Sequence, residues 1–468
     1  MKRVLWMLWL LLAPLALAAE PAAPQPSFIT SELLSRLVEE LMPRVEEHAG
    51  LDFVSTPVVR LSDRTELRKV LAQELFSQMR LRTDSDEEAR RQAEETSEVY
   101  SQVLLGKYAA GEGAILVLPE NFLRHSELVG HAGVHTPEFL RAVIVHELVH
   151  ALDDQRFAAV RSVSRLTNPG EMDIWNALLE GHAQHVTRKV LSSQGALALF
   201  ERFERYIVEP PPKLGEGEKY LFSLYFQAMQ FAYIDGRKFF EKLELLRPEI
   251  GVERVFREPP QHRSVILHPE RYGNAPPAVS SVPLEKLAER LLEVYGAGWN
   301  CERGSIDEAS FRAACGDFLN PEEIEAVAAS IRSSGTLVFR SENDASRISV
   351  VGVYRMGDEA EAERTYDFLV RLLQAKDARL QAGRFRILEA EYVPLDTGRS
   401  GKGTLARKRM SVEGVEVHGL TVVCQRDEQV IEMVRSYLEA PLPGPDPELQ
   451  AVLDYFAAAA KPLIWPDP

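Results

Sequence analysis

The segment IVHELVHALDDQ, Ile144 to Gln155, constrains this chain more than any other. Val143, Ile144, Val145, Leu148, Val149, Ala151 and Leu152 leave no broad polar face, so the segment reads as a helix buried in a core. Thr136 and Pro137 begin that helix, with Glu138 and Phe139 in its first turn. Burying His146, Glu147 and His150 among such neighbours is costly unless each has a partner. On a helix, residues four apart lie one above the other on one face. His146 and His150 can therefore aim two rings at one ion, as in HExxH zinc sites, with Glu147 in reach of a water on the metal. The plainer alternative is two histidines satisfied by ordinary core or surface partners.

A catalytic zinc needs a third protein ligand and an open position. The continuation H-x-x-G-x-x-H is absent, since Asp153 and Gln155 follow without a third histidine at the right offset, and this excludes the metzincin subclass. NALLEGHAQHV supplies Glu180 as the favoured third ligand, with His182 and His185 as alternatives. The small residues Gly181 and Ala183 are expected to let this second helix approach the first closely. Asp154, four residues beyond His150, is expected to accept its distal ring N–H and fix the tautomer; Asp153 is the less favoured alternative and reads otherwise as a solvent-facing acid. Gln184, one turn after Glu180, is a candidate to steady that carboxylate.

Composition sets the wider bounds. The chain has 468 residues, 45% of them hydrophobic, and a formal net charge of −16. Such a charge argues against a nucleic-acid partner, which needs a concentrated basic surface. Residues 1–19 follow the export pattern: Lys2 and Arg3, an apolar run from Val4 to Leu17, and the small-x-small Ala16-Leu17-Ala18. An uncleaved anchor is the alternative, and no cysteine stands where a lipid would attach. After cleavage the sequence contains no further candidate for an integral membrane segment, so an extracytoplasmic location, periplasmic or secreted, is expected. Oligomeric state is not legible. In an oxidising compartment Cys301 and Cys315 could close a short disulfide loop; the alternative is three reduced thiols, Cys424 included.

Along the chain, residues 20–30 read as a linker and 31–330 as one mainly helical domain. Within it Ala114 to Leu118 reads as a short strand stopped by Pro119. That strand is a candidate to pair edge-on with an extended substrate, or simply to pack within the domain. The character changes near residue 335, where strands alternate with a helix, so 335–440 reads as a small α+β domain. Residues 441–468 read as a Pro-rich tail.

Three separated stretches agree in order with a known pattern: HALDDQ at 150–155, LLEGHA at 178–183 and PPQHRSVILHPERY at 259–272. With residues 106–118 they resemble exported bacterial HExxH zinc metallopeptidase-like proteins of the gluzincin type, over roughly residues 100–275. The resemblance implies an α+β chain whose first domain is a mainly helical, zincin-like metallopeptidase with a small antiparallel sheet. It implies zinc on His146, His150 and Glu180, base chemistry at Glu147, and His268 and Tyr272 near the cleft as donors to a developing oxyanion. His182 stands where the family has an acid and HRSV at 262–265 departs from its polar-acidic stretch, so both are candidate tuning positions around the metal. The expected activity is an exported zinc endopeptidase acting on protein or peptide substrates. The rivals are a metal-dependent amidase acting on cell-wall substrates and a non-catalytic, zinc-stabilised envelope or adaptor protein.

Overall fold

The computed structural model describes residues 28–80, 85–127, 133–163, 165–166, 168–209, 223–274, 280–316, 318–344, 347–381, 385–395, 401–412, 414–437 and 447–458. The export segment 1–19 lies outside these residues. The chain is mixed α+β and forms two compact units; among the described residues after Ser223, the first runs from Leu224 to Asn274 and the second from Ser280 onward.

In the first unit, α1 (Ser31–Ala49) starts where the Thr30 hydroxyl accepts the Leu33 N–H and stops at Gly50, whose φ of 66° suits a residue without Cβ. Its stripe of Leu34, Leu37, Val38, Leu41 and Val45 is buried. The helices α2 (Arg64–Arg80), α3 (Asp86–Val103) and α4 (Pro119–Glu127) surround a three-stranded sheet of β1 (Val58–Leu61), β2 (Gly106–Ala109) and β3 (Ala114–Val117). Strand order is β1-β3-β2, with β1 parallel and β2 antiparallel to β3, so the sheet is mixed rather than antiparallel. The segment at 114–118 is therefore a central strand. Both its edges are paired within the protein, so of the two readings open to it, packing within the domain holds and edge pairing with substrate is excluded.

Two long helices follow. α5 (Pro137–Phe157) opens with the Thr136 hydroxyl accepting the Phe139 N–H at 3.2 Å and Pro137 in its first turn. Every residue from Ala142 to Asp154 is buried, as an apolar run of that width requires. α6 (Pro169–Ser193) is capped by the Asn168 side chain. α7 (Leu197–Val208) adds Leu199, Phe200 and Phe203 to the core shared by α1, α5 and α6. A helix then runs from Ser223 through a π-helical stretch, Gln230–Asp235, into α8 (Gly236–Leu246).

The second unit starts well before residue 335. β4 (Ser280–Ser281), α9 (Glu285–Tyr295), β5 (Trp299–Gly304), α10 (Glu308–Cys315) and α11 (Pro321–Ser330) belong to it. β4 and β5 both pair with β6 (Ile331–Ser341), and Leu287, Ala288 and Leu291 of α9 share a core with Leu337 and Phe339. That pairing and packing move the boundary upstream. The sheet continues through β7 (Ile348–Met356), β8 (Phe385–Pro394), β9 (Lys402–Val412), β10 (Val415–Arg426) and β11 (Gln429–Tyr437), in the order β4-β6-β7-β11-β10-β9-β8. α12 (Glu359–Arg379), with α10 and α11, packs on the face carrying Val423 and Val430, and α9 packs on the face carrying Val422 and Ile431. Residues 447–458 form a helix, α13, whose Ala451 and Val452 join the α9 core, so this part of the expected Pro-rich tail is a packed element. All three cysteines are free: Cys301 packs toward the α9 core and Cys315 lies in the α12 core, across the sheet from it.

Candidate metal centre

α5 and α6 bring the expected ligands together. His146 Nε2 stands 3.1 Å from Glu180 Oε2, His150 Nε2 stands 3.3 Å from the same oxygen, and the two ring nitrogens are 3.1 Å apart. Ligand atoms on a tetrahedron with bonds of about 2.0–2.1 Å are separated by about 3.3 Å, so the triangle has the size a zinc ion requires. Among the described residues this is the one group of three metal-ligating side chains so disposed. Nitrogen and carboxylate donors together suit a first-row divalent metal.

The electrostatics agree with a site built for positive charge. Burial alone would raise the Glu180 carboxyl, but the His150 ring and hydrogen bonds from both histidines hold it well below the usual carboxylate range. Burial likewise opposes charge on His150, yet the Glu180 carboxylate outweighs it and the ring is pushed up to about 9.

Glu147 is on the same turn as His146. Its Oε2 accepts the backbone N–H of Tyr108 at 2.7 Å. The close approach depends on Gly106, where a Cβ would stand 2.9 Å from Val143 Cγ1 and 3.3 Å from Glu147 Cγ.

The outer positions differ from the sequence expectations. Asp154 does not reach His150, whose Nδ1, like that of His146, has no hydrogen-bond partner among the described residues. Asp154 instead accepts the Tyr108 hydroxyl at 3.1 Å and the Arg161 N–H at 3.3 Å. Asp153, expected in solvent, is fully buried and accepts the His182 Nδ1–H at 2.9 Å, tying α5 to α6. His182 is thus a strut between helices, its ring 5.2 Å from that of Phe240. Gln184 is also fully buried, and neither end of its amide has a partner among the described residues, so it does not hold Glu180. Gly181 packs against Gly236 of α8 rather than against the metal helix.

The HPERY segment stands apart from its expected role. The Tyr272 hydroxyl donates to the Glu258 carbonyl at 2.8 Å and its side chain is buried against Phe239, so it is not an oxyanion donor. His268 ends a short helix beside Glu270, Nδ1 to Oε1 3.4 Å. The aromatic group that does meet the site is Tyr233, stacked on His146 with ring centroids 5.8 Å apart and planes 11° apart. Phe203 meets the same ring edge-on at 5.7 Å. Tyr233 sits on the π-helical stretch, a geometry that recurs at functional sites. In the sequence it is one more aromatic in an apolar helix, and nothing there signals the extra residue in the turn.

No protein-family model matches the chain, and no curated protein matches it. A solved structure from Chloroflexus aurantiacus, described as a hydrolase candidate with a novel fold, aligns with 58% of this chain and 96% of its own. Identity is 16% and the TM-score 0.38, a likeness too slight to assign fold or activity. What the chain itself presents is a His–His–Glu group of metal-binding geometry, its two histidines buried and Glu180 partly exposed, with a carboxylate beside it.

Proposed function

We propose that the protein is a zinc-dependent endopeptidase with a zincin-like metal helix, exported from the cytoplasm and acting on protein or peptide substrates. One observation carries the reading: His146 Nε2, His150 Nε2 and Glu180 Oε2 converge at 3.1–3.3 Å with Glu147 on the same helical turn. Three protein ligands with a fourth position left over is the pattern of catalytic zinc, since structural sites close all four. When bound, the metal supplies a Lewis acid and a water of lowered pKa.

Glu147 acts as general base and afterwards returns the proton to the leaving amine. Because Oε2 accepts the Tyr108 N–H, the proton is taken on Oε1. The two ligand rings are held by packing rather than by hydrogen bonds at Nδ1, with Tyr233 and Phe203 walling His146. His268 is the remaining candidate to steady negative charge on the substrate, with its side chain 27% exposed. No described helix is long and apolar enough to cross a membrane.

The test is metal analysis of the purified full chain, with turnover of unstructured peptides and of muropeptides, comparing wild type with Glu147→Ala. Zinc is expected in both proteins and peptide cleavage in the wild type, falling about 10²–10⁴-fold in the variant. Turnover of muropeptides alone replaces this reading with a cell-wall amidase. Bound zinc with neither activity makes the metal structural and the protein an adaptor.

A further inference from the structure

Tyr108 donates two hydrogen bonds to one face of the metal helix. Its backbone N–H reaches Glu147 Oε2 at 2.7 Å and its hydroxyl reaches Asp154 Oδ2 at 3.1 Å. Glu147 and Asp154 are seven residues apart, two turns along α5, and so share a face. Tyr108 lies on β2, an edge strand whose only described strand partner is β3, and its N–H goes to the carboxylate instead of to another strand. Asp154 is in turn fixed by the Arg161 N–H at 3.3 Å and by its guanidinium Nε at 3.3 Å. Tyr108, Glu147 and Asp154 are all buried.

A glutamate side chain has three rotatable bonds, and a general base must hold one oxygen within hydrogen-bond reach of the proton it takes. Misplacement by about 1 Å costs on the order of 10²-fold in rate. Glu147 accepts a single described hydrogen bond, and that donor is a backbone group whose place depends on how β2 lies along α5. The Tyr108 hydroxyl on Asp154 fixes that lie at one end, and the bare Gly106 permits it at the other.

We infer that Tyr108 and Asp154 are positioning residues for Glu147. Asp154 anchors the Tyr108 side chain, the anchored strand presents its N–H to Oε2, and Oε1 is thereby turned to face the reacting water. This rests on the metallopeptidase reading, and it gives Asp154 a task distinct from orienting a ligand histidine.

The experiment uses the full chain as Tyr108→Phe, Asp154→Ala, Asp154→Asn and Glu147→Ala. It reads kcat and KM on a peptide substrate, bound zinc, and backbone hydrogen exchange over residues 106–109. Tyr108→Phe and Asp154→Ala are expected to lose about 10- to 100-fold in kcat, with KM within about twofold and zinc retained. Asp154→Asn keeps an oxygen for the tyrosine hydroxyl and is expected to stay within about threefold of wild type. Exchange over 106–109 is expected to quicken in Glu147→Ala, Tyr108→Phe and Asp154→Ala. Unchanged kcat in Tyr108→Phe overturns the inference, as does an Asp154→Asn protein as slow as Asp154→Ala. If the wild type binds zinc and cleaves no peptide, the functional reading fails by itself. The exchange measurement then still decides the clamp: unaltered exchange in all three variants removes it.

Discussion

Gly181 and Gly236 meet with no side chain between them. A Cβ on Gly181 would stand 2.3 Å from the carbonyl carbon of Gly236, and one on Gly236 would stand 2.2 Å from the carbonyl oxygen of Ala177. Because the atoms in the way are backbone, no rotamer can relieve the contact. Gly181→Ala must push α8 from α6, and overpacking of this kind costs about 1–3 kcal/mol. Gly181 follows the ligand Glu180 directly, so bound zinc should fall together with the melting temperature. Both are read by thermal unfolding and metal analysis of the same sample.

The ligand set predicts a contrast between neighbouring acids. Glu180→Ala removes the oxygen shared by both rings and should abolish zinc binding, whereas Glu147→Ala should retain it. A chelator should lower the melting temperature of the wild type, since a ligand held only by the folded state stabilises it, and added zinc should restore it. Glu180→Ala should show no such response.

The buried pair of His182 and Asp153 should fail asymmetrically. Asp153→Ala leaves a buried ring N–H without its acceptor, a cost of about 1–3 kcal/mol. His182→Ala leaves a fully buried carboxylate without its donor, which costs about 3–5 kcal/mol. Chemical denaturation of the two variants checks the order; equal losses would mean that the pair is held by packing alone.

His185 predicts acid sensitivity. Burial, with the nearby His182 and Lys189, outweighs the Glu244 carboxylate 3.0 Å from Nε2 and pushes the ring down to about 4, against 6.5 for the free side chain. Between those values the unfolded chain takes up a proton that the folded chain refuses, so stability falls as pH falls. The contribution is complete above about pH 6.5 and is lost progressively toward pH 4. Denaturation at pH 7.5 and pH 5 should show a smaller difference in His185→Leu than in wild type.

Sequence legibility followed the range of the forces involved. His146, His150 and Glu180 were readable because helical periodicity and residue chemistry are local, and a buried polar triplet has few explanations. The partners expected for Asp154 and Gln184 did not appear because spacing along one helix says nothing about which neighbouring element arrives beside it. Asp154 was taken by Tyr108, a residue on a strand 46 positions earlier. Tyr272 was consumed by a carbonyl only 14 residues away, a local turn that the segment's composition does not announce. The boundary near Ser280 was hidden because α9, α10 and α11 look like the helices before them; only strand pairing with β6 reveals their allegiance. The segment at 114–118 was correctly read as a strand, but its place between two partners is a property of the sheet.

The π-helical stretch has a consequence for phase. Side chains on an α-helix advance by about 100° per residue, so two positions three apart point only about 60° apart. Tyr233 must lie on the His146 ring while Gly236, three residues later, must lie on the backbone of α6. The wider turn over Gln230–Asp235 supplies the angular slack that lets one continuous helix meet both demands. Deleting a single residue from that turn would restore a regular helix and force a choice: the aromatic wall of the metal site or the glycine crossing beside it.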